Sequence, residues 1–188
     1  MEKNKIFYFG YATTRELEMM KAITGKENLF GQQATLKGYS LYVQRLDQIP
    51  NKVIPNSPEP ISAQRILQNN WGESFISYVI KSDENGQVRG VVWELDELDY
   101  KLLKNWELND YGWFKDLETN VILENGETIS IITGELGDGQ EIDHEVEGDD
   151  YPSYLIEPER LLQRAKEVRE QYLEDLRTKE GGKTASEK

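Results

Sequence analysis

Glu107 stands between Trp106 and Leu108, at the end of a segment with helical periodicity. An apolar neighbourhood disfavours a carboxylate's charged form, so its pKa climbs toward neutrality and it can accept and return a proton near pH 7. The same placement also fits a solvated glutamate at a helix end, and the sequence alone leaves both readings open. A second feature is Gly10-Tyr11-Ala12-Thr13-Thr14, where an aromatic strand runs into a helix. The exposed N–H groups of such a turn, reinforced by the helix dipole, suit a carboxylate or a developing oxyanion. An ordinary βα turn is the alternative, since neither GxxxxGKS/T nor GxGxxG is present.

Other chemistries lack their residues. The 188-residue chain has no cysteine, which removes disulfides, thiol nucleophiles, iron–sulfur clusters and cysteine-based zinc sites. Its single histidine, His144, lies in an acidic, glycine-containing stretch away from any nucleophile elbow, so a Ser-His-Asp triad is not supported. Asp138, Gly139, Gln140, Glu141 and Asp143 do not follow the calcium-loop pattern, and no metal site is expected. With 22 Lys or Arg against 35 Asp or Glu, the formal charge is −13, and no run of three basic residues occurs. Nucleic acid is therefore not an expected partner. No apolar stretch approaches the roughly 20 residues that span a bilayer, and residues 1–5 are polar and lead straight into a strand-like run. The expectation is a cytoplasmic protein with no membrane contact, built as one domain able to bury a core.

The elements that position these residues follow from pattern. Residues 5–11 (KIFYFGY) predict a buried strand. Thr13 and Glu16 have capping-box spacing, so a helix is expected to begin there, with Leu17, Met20 and Ile23 on its apolar face and Gly25 as its stop. Residues 33–44 return to strand, with Leu36, Tyr39, Leu41 and Val43 pointing inward. Residues 49–61 hold four of the six prolines and read as a loop. Two hairpins are expected, 74–81 with 88–96 around Asn85-Gly86, and 117–123 with 127–136 around Asn125-Gly126, because Asn-Gly supplies the positive φ angles of tight turns. Between them, residues 95–106 form an amphipathic helix with Leu98, Leu102, Leu103 and Trp106 on one side, which sets Glu107 just past its end.

Residues 135–150 carry eight acidic side chains and no Lys or Arg, and read as a solvated acidic loop. Pro158 opens a helix over 158–177 whose Leu161, Ala165, Val168, Tyr172 and Leu176 make a stripe that docks on the core or pairs with a second copy. A disordered tail, 178–188, is expected after it.

Two segments, taken in order, resemble the γ-glutamylcyclotransferase-like family. YFGYATT, from Tyr8 to Thr14, resembles the YFAYGSN-type opening in which a strand runs into a substrate-holding turn. Residues 88–121 resemble the family's strand with V-x-G-x-V/L-W/Y, short Leu-containing helix, Glu normally followed by Gly, then G-x-Y and a strand. The matching pieces are Gly90, Val92, Trp93, Leu103, Glu107, Gly112 and Phe114. Order and spacing agree over residues 5–135.

The resemblance implies an α+β fold: a small mixed, mostly antiparallel β-barrel with flanking helices and a pocket at its mouth, occupying residues 1–157 ahead of the long C-terminal helix. It implies Glu107 as the acid/base, a substrate turn of Tyr8, Phe9, Gly10, Tyr11, Ala12 and Thr13, and Phe114 and Tyr154 as further pocket residues. The implied reaction cyclises a small-molecule γ-glutamyl amide to 5-oxoproline with release of an amine or amino acid, without metal or cofactor. The C-terminal helix could make a homodimer, and a noncatalytic binding or interaction protein on the same barrel is the alternative. Ala12-Thr13-Thr14 replaces the family's Gly-Ser-Asn, Leu108 its Gly, and Phe114 its Tyr, while Tyr154 follows Pro152-Ser153 two residues sooner than in the family's P-S-x-x-Y. A positive φ at position 12 would cost alanine about 1 kcal/mol.

Overall fold

The computed structural model describes residues 5–150, 152 and 158–185, with side chains up to residue 179. Strands β1 (Ile6–Gly10), β2 (Gly31–Arg45), β3 (Ile76–Leu95), β4 (Phe114–Leu123) and β5 (Thr128–Leu136) form a sheet in the order β3-β1-β5-β4-β2. β2 pairs back onto β3 and closes the sheet into a barrel, while the short β6 (His144–Glu145) is appended to β2. β1 and β5 run parallel and the other pairs antiparallel. Around the barrel lie α1 (Leu17–Thr24), α2 (Ala63–Trp71), α3 (Glu97–Trp106) and α4 (Pro158–Ala185). The expected mixed barrel with flanking helices and a long last helix is the architecture observed.

The buried apolar residues form three clusters, the first two on opposite faces of the sheet. Phe9 on β1 points into the barrel with Leu36, Leu41, Ile80, Val88 and Val121. Tyr8, one residue earlier, faces the opposite way, into a layer formed with Met19, Met20, Ile23, Trp93, Leu103 and Ala165 under α1, α3 and α4. A third cluster, Leu46, Ile49, Ala63, Leu67, Leu108, Tyr111 and Trp113, fills the space beneath α2.

Asn125-Gly126 makes the expected hairpin, with Gly126 at φ 85° between β4 and β5. The hairpin expected at Asn85-Gly86 does not form. β3 is one continuous strand that pairs with β2 from Gly31↔Trp93 to Arg45↔Ile76, and the register jumps between Lys37↔Gln87 and Tyr39↔Ser82. Residues 83–86 bulge out opposite Gly38, with Asp83 accepting from the Ser40 hydroxyl at 2.6 Å and from the Asn85 N–H at 3.1 Å. Gly86 lies against the partner strand, where a Cβ would stand 2.4 Å from the Tyr39 carbonyl oxygen. The dipeptide thus serves a bulge that bends a long strand around the barrel.

The Thr13/Glu16 capping box is also absent. Thr13–Arg15 form a 3-10 turn, α1 starts at Leu17, and Glu16 accepts instead from Arg15 Nε at 3.1 Å. Gly25 does stop α1, at φ 77°. Leu17 and Leu98, both expected on buried faces, are exposed, and Asp99 is buried in place of Leu98, taking an ion pair from Lys26 and the N–H of Asp96. α2 follows the proline-rich loop, capped by Ser62, whose Oγ accepts from the Arg65 N–H at 3.2 Å.

α4 docks on α1 and α3 through Ala165, with Leu161, Leu162, Tyr172 and Leu173 beside it, and Arg169 donates to the Ala22 carbonyl at 2.9 Å. It continues to Ala185, into the 178–188 stretch expected as a disordered tail, of which residues 186–188 lie outside the described residues. The acidic stretch is strapped to the barrel: Asp143 pairs with Arg45, Asp149 with Arg89, and Asp150 with Arg15. Among the described residues, no helix is long and apolar enough to cross a membrane.

Gly90, on β3, faces the end of β1, and a Cβ there would lie 2.4 Å from the Gly10 carbonyl oxygen and 2.6 Å from the Phe9 ring. Gly90→Ala should therefore lose about 1–3 kcal/mol of stability in urea unfolding. An unchanged midpoint would contradict this close approach.

Candidate active site

The end of β1, the 3-10 turn after it, the end of α3, α2, the start of β3 and the inner face of α4 enclose a cleft of about 970 Å³. Tyr11, Ala12, Thr13 and Thr14 line it on one side, with Glu107, Leu108 and Phe114 next to them. The turn holds its shape through buried polar contacts. The Thr14 carbonyl accepts from Trp93 Nε1 at 2.8 Å, and Arg15 and Glu16 donate backbone N–H groups to Ala12 and Thr13, each at 3.1 Å. Gly10 makes the fold-back sterically possible, since a Cβ there would meet the Thr14 carbonyl oxygen at 2.4 Å. Ala12 has φ −109°, so the left-handed conformation feared at this position, with its strain on alanine, does not arise. The first N–H groups of the turn, as at any helical start, have no partner within it.

Glu107 is the C-cap residue of α3. α3 itself is well founded: Asp96 accepts from the N–H groups of Leu98 and Asp99, Asp99 bonds back to Asp96, and Leu102 and Leu103 anchor it to the barrel. Immediately after Glu107, Leu108 adopts φ 53°, ψ 34°, a left-handed conformation, and its side chain is buried beneath α2. Trp106 before it packs toward the layer under α1 and α4. The chain passes from one apolar cluster to another within two residues, and Glu107 is pinned between them.

Tyr8 Oη donates to Glu107 Oε1 at 2.6 Å. Burial pushes the Glu107 carboxyl up to about 7, against the donor from Tyr8, which favours the anion; the nearby Asp116 charge adds to the rise and Lys104 opposes it. Lys104 is itself 2.6 Å from Asp116, which blunts both effects. The phenols of Tyr8 and Tyr11 are driven well above their ordinary range, first by burial and then by the Glu107 charge, so both remain neutral. Tyr11 donates to the Gly134 carbonyl at 2.8 Å, which fixes its ring at the edge of the cleft.

Of the residues singled out from sequence, Glu107, Tyr11, Ala12, Thr13 and Phe114 meet at the cleft. Tyr8 stands behind Glu107, Phe9 is inside the barrel, and Gly10 lies under the turn. Tyr154 lies outside the described residues. Sequence reasoning missed the far walls, from α2, the start of β3 and α4. The apolar stripe of α4 signalled that it packs, but Val168 and Leu176 from that stripe line the cleft rather than the core.

No family profile and no curated protein sequence matches this chain. Solved structures do. A protein described as gamma-glutamyl cyclotransferase superposes with a TM-score of 0.56 at 15% identity, covering 93% of this chain and 87% of that one. An uncharacterized protein from Homo sapiens gives 0.55 at 17% identity, covering 92% and 86%. The barrel, its flanking helices and the last helix thus define a γ-glutamylcyclotransferase-like fold.

Glu107 is neutral in the folded chain at pH values where the unfolded chain, with an ordinary glutamate value of 4.5, has released its proton. Stability therefore falls as pH rises from about 4.5 to about 7. Glu107→Gln, which keeps an acceptor for Tyr8, should remove that fall and gain about 3 kcal/mol relative to wild type between pH 4.5 and pH 8. Parallel pH–stability curves for the two proteins would show that the carboxyl is not raised.

Proposed function

We propose that this protein is a γ-glutamylcyclotransferase with Glu107 as its acid/base. The observation that carries the reading is the Glu107 carboxyl, bonded to Tyr8 Oη at 2.6 Å and lining the cleft beside the Tyr11–Thr14 turn, where burial pushes it up to about 7. A γ-glutamyl amide already contains its nucleophile. Ionised Glu107 takes a proton from the substrate α-ammonium, and the freed amine attacks the γ-carbonyl carbon of the same molecule. The new C–N bond closes a five-membered ring, and backbone N–H groups between Tyr11 and Thr13 hold the oxyanion or the substrate carboxylate. Glu107 then returns its proton to the γ-amide nitrogen as that C–N bond breaks. The second proton, lost by the attacking nitrogen as it becomes the lactam N–H, passes to the released amine, so the products are 5-oxoproline and an ammonium, and Glu107 ends ionised as it began.

Tyr8 acts in this scheme as a positioning residue that keeps one Glu107 oxygen engaged and leaves the other for the proton. Phe114, in the place of the family's Tyr, contributes a ring 4.5 Å from Trp113 and tilted 38° to it rather than a hydroxyl donor.

Release of 5-oxoproline from γ-glutamyl amides, γ-glutamyl amino acids and glutathione tests the reading. Wild-type protein should turn over at least one of them, with kcat/KM rising through pH about 7 as Glu107 ionises. Glu107→Gln should lower kcat by about a hundredfold to ten-thousandfold. A folded wild type inactive on every compound would instead make this a binding protein on the same barrel.

A further inference from the structure

The stretches on either side of Glu107 converge on one carboxylate. Asp116, on β4, follows Phe114 by two residues and so lies on the same face of the strand. Its Oδ2 accepts from Lys104 Nζ at 2.6 Å and its Oδ1 from Asn109 Nδ2 at 3.0 Å. Lys104 is in the last turn of α3, before Glu107, and Asn109 comes after it, just beyond the left-handed Leu108. The chain reversal that carries Glu107 is therefore tied to the barrel on both sides by a single side chain. Asn109 makes this link although its own Oδ1 is buried without a hydrogen-bond partner among the described residues, a cost that a solvated turn would not carry. Asp116 also pairs in register with Gly134 on β5, whose carbonyl holds the Tyr11 hydroxyl at 2.8 Å, so one stretch of β4 and β5 fixes both the Glu107 loop and the edge of the cleft.

The link is ionic as well as steric. Beyond burial and the Tyr8 bond, the Asp116 charge raises the Glu107 carboxyl and Lys104 lowers it. Each offsets the other across their ion pair, and removal of either unmasks its partner. Burial first, and then the charges of Asp116 and Glu107, push the Tyr100 phenol above its ordinary range, with Glu118 further along β4 adding to the rise. Tyr8 and Tyr11 face Glu107 from β1 and the residue after it, and both stay neutral. Elsewhere on the cleft stand Glu59 and Asp110. α4 adds Arg160, Arg164, Glu167, Asp175 and Lys179, and none of these cleft charges moves the Glu107 carboxyl.

We infer that Asp116 and Lys104 are positioning residues for Glu107: their ion pair, together with Asn109, anchors the loop that carries the acid/base and biases where its proton resides. The inference rests on the cyclotransferase reading for the reaction itself and adds two residues that act through Glu107.

Carbon-13 titration of the Glu107 carboxyl in the intact protein compares wild type with Asp116→Asn, which keeps an oxygen for Asn109 and drops the charge, and with Lys104→Met, which keeps the apolar stem. Asp116→Asn should lower the midpoint from about 7 and Lys104→Met should raise it, each by at least about half a pH unit. A loosened loop would admit water and lower both midpoints, so opposite signs separate the ion pair from a merely structural role. In turnover, the low-pH limb of kcat/KM should move in the same two directions. Asp116→Ala, which releases Lys104 and Asn109 together, should lower kcat at least about tenfold with KM kept within about threefold, and Asp116→Asn at its own optimum should recover most of that loss. Midpoints that move together or not at all, or an Asp116→Ala enzyme with wild-type kcat, overturn the inference while cyclotransfer stands. If no γ-glutamyl compound is turned over, the titration decides alone: opposite shifts sustain the positioning role with the reaction withdrawn, and any other pattern overturns the positioning role as well.

Discussion

The hydrogen bond from Tyr8 to Glu107 spans 99 residues of sequence and depends on almost every other feature of the fold. A glutamate that shuttles a proton near neutrality must be taken out of water, yet not so completely that it never ionises. Burial drives the carboxyl up, and one phenol donor, itself too buried to lose its proton, restrains the rise. That balance requires Tyr8 to leave the barrel wall on its outer side, and β1 parity provides it, sending Phe9 inward and Tyr8 toward α3. It also requires α3 to end where it does, which the Asp96 cap at one end and the Leu108 turn at the other determine.

Leu108 shows how two demands on one residue are reconciled. A left-handed conformation costs a leucine about 1–2 kcal/mol. Burying its side chain beneath α2 contributes about 1.5–3 kcal/mol, enough to offset that cost. Glycine would adopt the turn freely but would leave the cluster of Leu46, Leu67 and Trp113 short of a side chain. Leu108 thus holds the left-handed backbone that follows Glu107 while its side chain fills that cluster. The other departure, Ala12, needs no such compensation, because its φ is negative.

Much of this was legible in the sequence where the signal is local. The strand of residues 5–11, the helix before Glu107, the Asn125-Gly126 hairpin and the Gly25 stop are set by period, cap and turn chemistry, and they formed. Asn85-Gly86 carries the same local signal and gave a bulge, because β2 supplies a partner for both of its flanks and tertiary pairing decides the use. Thr13 and Glu16 do not form a capping box because Thr13 opens a 3-10 turn and Glu16 is itself the N-cap of α1. Glu107 could be noticed from its apolar neighbours. Its partner Tyr8 was noticed only as part of the substrate turn, since which face of β1 meets α3 follows from barrel closure and not from the sequence around either residue. The far wall from α2 and β3 was unreadable for the same reason.

Carbon-13 chemical-shift titration of the Glu107 side-chain carboxyl in the intact protein tests the central claim most directly. The account predicts a midpoint near 7, coupled to a downfield response of the Tyr8 ring as the anion forms. A midpoint at the ordinary glutamate value of 4.5, with Tyr8 silent, would mean that the carboxyl is solvated and that neither the bond nor the acid/base role exists.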